Sequence, residues 1–155
     1  MTKLVTDYIS SCPDSKIVLM GYSQGAQVVA DTLIGSSTSG FGGGFGGGYG
    51  GSSAASSGGL PAADRKNIIA AIQMGDPSHV PGLSTDKGTS TKNGVFPRSN
   101  SANYASDGFG SLIQSYCDTG DEYCDSGNSL QVHLSYVQTY GTDATNFVVS
   151  KYKAA

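Results

Sequence analysis

The chain has 155 residues, with 9 Lys and Arg against 12 Asp and Glu, a net charge of -3 and a pI of about 5.1. A weakly acidic chain without a basic patch excludes nucleic acid as its natural partner. No apolar run reaches the roughly 20 residues that a membrane span needs, and the length suits one domain around one core, so residues 1–155 read as a single domain.

Leu4, Val5, Tyr8 and Ile9 recur at helical spacing and predict an amphipathic helix over 2–11, stopped by Pro13-Asp14. Lys16–Met20 reads as a buried strand, and 24–34 as the helix that follows it. The segment 35–59 breaks this rhythm. It holds 12 of the 23 glycines, in Gly-Gly-Gly repeats punctuated by Phe41, Phe45 and Tyr49. Such a stretch buries too little apolar surface to offset the entropy of ordering it. It reads as a flexible Gly/Ser-rich insertion inside the domain, not as a linker between two. Pro61 to Lys66 predicts a helical turn. Asn67–Met74 reads as a second buried strand that ends at Gly75-Asp76-Pro77. Residues 77–108 read as loop, and 112–116 as a third strand. Thr142 or Asp143 could cap a last helix with Ala144, Phe147, Val148 and Tyr152 on one face. Strands alternating with helices predict an α/β fold with a parallel sheet.

Three cysteines are present. Cys117 and Cys124 enclose a short polar loop, which reads as a local disulfide and an oxidising compartment. No Cys or His cluster completes a metal site. Cys12 is left unpaired. The N-terminus has no apolar core of a secretory signal peptide.

The densest chemical signal is Gly21-Tyr22-Ser23-Gln24-Gly25, a G-x-S-x-G pattern between a strand and a helix. That context defines a nucleophile elbow, a turn so tight that glycines are expected on both sides of the serine. A serine hydroxyl needs a base to take its proton, and the base needs an anion to fix its tautomer. The two histidines are His79 and His133. His133 lies twelve residues after Asp121, and Ser23, Asp121 and His133 follow the chain order Ser, acid, His. His79 lacks a suitable acid ahead of it and reads as a solvated loop histidine. Asp118, Asp121 and Asp125 compete for the acid role, and composition does not choose among them.

Gly21-Tyr22-Ser23-Gln24-Gly25-Ala26 resembles the serine motif of the cutinase and acetylxylan esterase family. Met74-Gly75-Asp76-Pro77 is similar too. The most specific likeness is Ser115-Tyr116-Cys117-Asp118-Thr119-Gly120-Asp121-Glu122-Tyr123-Cys124, followed by Gly127-Asn128 and His133-Leu134-Ser135-Tyr136. The resemblance implies a cutinase-like α/β-hydrolase fold, a three-layer α/β/α sandwich, without a cofactor. It implies Ser23 as nucleophile, Asp121 as acid, His133 as base, and the Gln24 backbone N–H as an oxyanion-hole donor. Family members carry a further stretch before the region matched here. The expectation is therefore a fold lacking its first strands, one oxyanion donor and the cysteine that would pair with Cys12. Ser90 stands where some members have a cysteine.

The resemblance further implies a secreted, monomeric serine esterase of fungal type acting on a plant cell-wall ester. Asp121-Glu122-Tyr123-Cys124 and Gly127-Asn128 look closer to acetylxylan esterases, and His133-Leu134 with Thr119-Gly120-Asp121 closer to cutinases. Two other readings compete: an inactive remnant without catalysis, and a surface-binding protein that uses the Gly-aromatic insertion.

Overall fold

The computed structural model describes residues 1–36 and 59–155. Nearly all of the insertion expected at 35–59 lies outside the described residues.

Among the described residues four strands form one sheet: β1 (Ile17–Tyr22), β2 (Ile68–Met74), β3 (Asp86–Lys87) and β4 (Ile113–Tyr116). They lie in the order β1-β2-β4-β3, and every pair is parallel. Parallel pairing needs crossovers, and helices supply them on both faces. α1 (Thr2–Ser11) and α2 (Gln24–Ile34) cover one face. There Val5, Ile9, Val29 and Leu33 pack with Leu19, Ala71 and Ile113 of the strands. α6 (Tyr136–Ala154) covers the other face, where Tyr136 and Ala144 meet Ile72, Met74 and Tyr116. Adjacent residues of a strand point to opposite faces, so Ala71 and Ile72 serve different layers. The result is the expected three-layer arrangement.

β2 is buried at all seven positions because it has a strand on each side and a helix layer on each face. β1 departs from the expectation of a buried strand. It starts one residue later, runs on to Tyr22, and lies at the edge of the sheet. Only Leu19 of β1 is fully buried, and Met20 is 62% exposed. An apolar run does not distinguish an edge strand from a central one.

The helical turn expected from Pro61 to Lys66 is α3 (Ala62–Arg65), and the expected loop over 77–108 also holds the two-residue β3 and a single-turn helix, α4 (Asn103–Ser106). The last helix differs most. It begins at Tyr136 with Ser135 at the N-cap position, where Thr142 or Asp143 was the expected cap, and it runs through Gly141. A mid-helix glycine costs about 1 kcal/mol, and the burial of Tyr136 and Ala144 on either side offsets it. Between β4 and α6 lie the disulfide loop and one further turn of helix, α5 (Leu130–His133). Ser129 caps α5: its hydroxyl accepts from the Val132 N–H at 3.2 Å.

Candidate active site

β1, β2 and β4 deliver their carboxyl ends to one edge of the sheet, where open parallel sheets place ligand sites. β1 runs into Ser23, β2 into Gly75 and β4 into Cys117. Two backbone bonds tie these exits together. The Ser23 N–H donates to Met74 O at 2.7 Å, and the Gly75 N–H to Tyr116 O at 2.9 Å.

Ser23 carries positive φ, at 55°, which few residues other than glycine adopt. A residue held in this strained region between strand and helix lifts its side chain clear of both elements. Gly21 is required at this turn, because a Cβ there would overlap the Gly25 carbonyl. The glycine expected for the same reason at 25 is under no such pressure: a Cβ at Gly25 meets nothing within 4 Å. Gln24, the first residue of α2, follows the elbow directly. Its amide belongs to the first turn of a helix, where N–H groups have no intrahelical acceptor and the helix dipole favours negative charge.

His133 ends α5 and is 3% exposed. Its Nε2 lies 2.9 Å from Ser23 Oγ. Its Nδ1 lies 2.9 Å from Asp121 Oδ2 and 3.1 Å from Oδ1. A carboxylate can only accept, so Nδ1 carries the imidazole proton and Nε2 is the free base facing the serine. Asp121 is fully buried. Its Oδ1 accepts from the backbone N–H groups of Tyr123 (2.7 Å) and Cys124 (2.9 Å), and its Oδ2 from the Tyr136 hydroxyl (2.7 Å). Those donors compensate for taking the charge out of water.

Cys117 and Cys124 are joined by a disulfide across the loop that carries Asp121. The other two acids of this loop point elsewhere. Asp118 accepts from Tyr140 (2.7 Å) and from the Thr89 N–H (3.0 Å). Asp125 accepts from Ser90 (2.5 Å) and the Gly120 N–H (2.8 Å). Burial would raise the Asp125 carboxyl, but these bonds outweigh it and hold it below its ordinary value. Ser90 is thus the hydroxyl partner of a buried acid. Cys12 is exposed and free.

His79 departs from the expectation of a solvated loop residue. It is 4% exposed, with Nδ1 3.9 Å from Asp86. It belongs to a separate buried polar cluster below the β2 exit. In that cluster Asp76 accepts from Ser78, and the Arg98 guanidinium binds Ser78 and Asp31. Burial lowers the His79 pKa and raises that of Asp76. Among the described residues no group of acids, cysteines and histidines could hold a metal ion, and no helix is long and apolar enough to cross a membrane.

Three tyrosines were not singled out from the sequence. Tyr22 donates its hydroxyl to the His133 backbone carbonyl and lies 5.3 Å from the imidazole, centroid to centroid. Tyr123 meets the same ring edge-on at 4.7 Å. Tyr136 holds Asp121 as described. Their signal was proximity in the chain: one precedes the serine, one follows the acid by two residues, and one follows the histidine by three.

A parallel α/β sheet with a hydrogen-bonded Ser–His–Asp chain at its carboxyl edge places the protein among hydrolase-like α/β folds. The chain belongs to the Cutinase family, whose model matches residues 1–152. It is 38% identical to an acetylxylan esterase of Hypocrea jecorina and 37% identical to cutinase 11 of Verticillium dahliae, each over 95% of this chain. It also resembles the solved catalytic core domain of acetyl xylan esterase from Trichoderma reesei, with a TM-score of 0.76 and 35% identity over 97% of this chain. The chain spans 44% and 45% of the two curated relatives and 66% of the solved chain.

Proposed function

We propose that the protein is a serine carboxylic-ester hydrolase that works through an acyl-enzyme intermediate. The observation that carries this reading is the unbroken chain from Ser23 Oγ through the imidazole to Asp121, with 2.9 Å at each link. Ser23 attacks the ester carbonyl while His133 Nε2 takes its proton. Asp121 fixes the tautomer and stabilises the imidazolium. The oxyanion that forms lies by the Gln24 N–H at the start of α2, where helix-terminal amides favour negative charge. His133 then protonates the departing alcohol, and water repeats the cycle to release the acid. Every proton in this sequence moves between groups of the chain, substrate and water, so the mechanism asks for no cofactor or metal.

The substrate we favour is acetylated xylan, on the likeness to the relatives of that name. A second reading is cutin, favoured by Leu130 and Leu134, which flank His133 and are 50% and 66% exposed. They offer apolar surface to a longer acyl chain. We place the protein outside the cell as a monomer, in keeping with the disulfide. We treat 1–155 as one domain that carries the Gly-rich insertion.

Initial rates on p-nitrophenyl esters from acetate to decanoate, with acetate release from acetylated xylan, test the proposal. Acetate as the fastest ester, with release from xylan, is the expected result. A maximum at long chains, with release from cutin, favours the second reading. Background rates on every ester overturn both and leave an inactive family member.

A further inference from the structure

We infer that Tyr136 is a positioning residue for this chemistry: its hydroxyl proton is committed to Asp121, and it sets both the aim of that carboxylate and the negative charge that reaches His133. The inference rests on the catalytic reading of Ser23, His133 and Asp121 proposed above.

A phenol has one proton to donate and lone pairs to accept with. The Tyr136 oxygen has three neighbours in bonding range. The Asp118 N–H, 2.9 Å away, is a donor and occupies a lone pair. Cys124 Sγ, 3.3 Å away, is a disulfide sulfur with no proton to give and little capacity to accept. Asp121 Oδ2, 2.7 Å away, is the one strong acceptor, so the proton points there. Tyr136 is fully buried at the first turn of α6, and its ring packs with Met74, Tyr116 and Cys117. Burial and the neighbouring carboxylates push its own pKa up, so it stays a neutral donor throughout the working range.

The consequence is a balance of two effects at one oxygen. Oδ2 receives both the Tyr136 proton and His133 Nδ1–H. A hydrogen bond to the charged form stabilises the carboxylate and weakens its pull on the imidazolium. Other groups facing this pair leave that balance in place. From the β1 end comes Tyr22, neutral because burial and Asp121 raise its pKa. His79, in the separate cluster below the β2 exit, feels Asp121 only as the weakest of its charged neighbours, and burial keeps it neutral by lowering its pKa. From the disulfide loop come Asp118, Asp125 and Tyr123, of which the two acids are engaged with Thr89, Tyr140, Ser90 and Gly120. Tyr140 of α6 is pushed up to about 12 by burial and Asp118 and donates to Asp118, not to Asp121.

Two variants move the donor in opposite directions. Tyr136→Phe removes it. Site-specific 3-fluorotyrosine at 136 keeps the shape and strengthens it. The readouts are His133 titration followed by NMR of its Cε1–H and the pH profile of kcat/KM on p-nitrophenyl acetate. Tyr136→Phe should raise the His133 midpoint by about half to one unit, carry the acid limb of the profile with it, and lower the plateau about 10-fold with KM little changed. Fluorotyrosine should shift the midpoint down. Tyr140→Phe, which removes a phenol from the same helix, should leave the midpoint where it is. A His133 midpoint unmoved by either change at 136, or moved equally by Tyr140→Phe, overturns the inference. The NMR titration separates this from the catalytic reading. Opposite midpoint shifts in the two variants at 136, beside a wild type that cleaves no ester, would sustain the Tyr136 role and sink the esterase.

Discussion

Gly75 lies against the imidazole of His133. A Cβ at 75 would stand 2.8 Å from Cε1 and 3.0 Å from Nδ1. The same residue has φ of 64°, in the region that L side chains rarely enter. Sequence order puts it at the exit of β2, and the fold makes that exit the floor of the histidine. Gly75→Ala should therefore act twice. The backbone penalty is about 1–2 kcal/mol of stability. The displaced ring should lower kcat on p-nitrophenyl acetate about 100-fold, as misplacements near 1 Å do. Chemical unfolding and steady-state rates measure the two separately. Wild-type kcat in the variant would mean that the imidazole tolerates the shift and is not held in place here.

His79 makes stability depend on pH. Burial lowers its folded pKa, although Asp86 and Asp76 pull the other way. Below about pH 6.5 the unfolded chain takes up this proton and the folded chain does not. More protons are then bound in the unfolded state, so stability falls as the pH drops, by up to about 1.4 kcal/mol per pH unit. The effect ends once the pH passes below the folded pKa. Asp76 and Asp86, raised by burial, act with the opposite sign above about pH 4. Urea unfolding of wild type and His79→Asn at pH 8, 7, 6 and 5 isolates the histidine. The difference between the two should narrow steadily below neutrality, and a constant difference would contradict the assignment.

The disulfide carries the acid. Asp121 lies between Cys117 and Cys124, and the Cys124 amide is one of its donors. A Cys117→Ser, Cys124→Ser double variant frees a loop whose closure is worth about 2.5 kcal/mol by chain entropy. It also loosens the carboxylate. Melting should fall, and kcat should fall further than KM changes. A double variant with full kcat would show that the backbone and Tyr136 hold Asp121 unaided.

Both ends of the segment 37–58 are held by the last turn of α2. The Leu60 N–H donates to Thr32 O at 2.8 Å, and Asn100 and Arg98 donate to Gly35 O at 3.0 and 3.3 Å. Its removal, with Ser36 joined to Gly59 through a short Gly-Ser link, should change stability by no more than about 1 kcal/mol. Ester rates should stay within about twofold, as expected if a segment of this Gly-rich composition contributes mainly loop-closure entropy. A large loss of melting temperature would show that the segment packs on the domain.

Much of this was legible in the residues. Helix α2 and strand β2 follow from periodicity and from long apolar runs with glycine or proline at their ends. The Ser23 elbow follows from two local signals that agree. What escaped was set by tertiary context. Lys16–Met20 by itself reads as a buried strand, because edge and centre differ in neighbours and not in the run; only the expectation of missing first strands puts β1 at an edge. The start of α6 was missed because Thr142 and Asp143 are good capping residues, whereas burial of Tyr136 and Ala144 carries the helix back through Gly141 to Tyr136. His79 looked like a solvated loop histidine because composition does not show that the segment 77–108 folds back over it and brings Asp86 against its ring. Asp121 could not be separated from Asp118 and Asp125 by composition. The choice lies in which carboxylate of the disulfide loop meets the imidazole that α5 presents, and that is Asp121.

The central claim is that Ser23 is the nucleophile of an esterase. Its most direct test is the initial rate of p-nitrophenyl acetate hydrolysis by the purified chain, beside a Ser23→Ala variant of equal melting temperature. The account predicts saturable hydrolysis by wild type and a rate at the uncatalysed background in the variant. Equal rates in the two, or no rate above background in wild type, would contradict it.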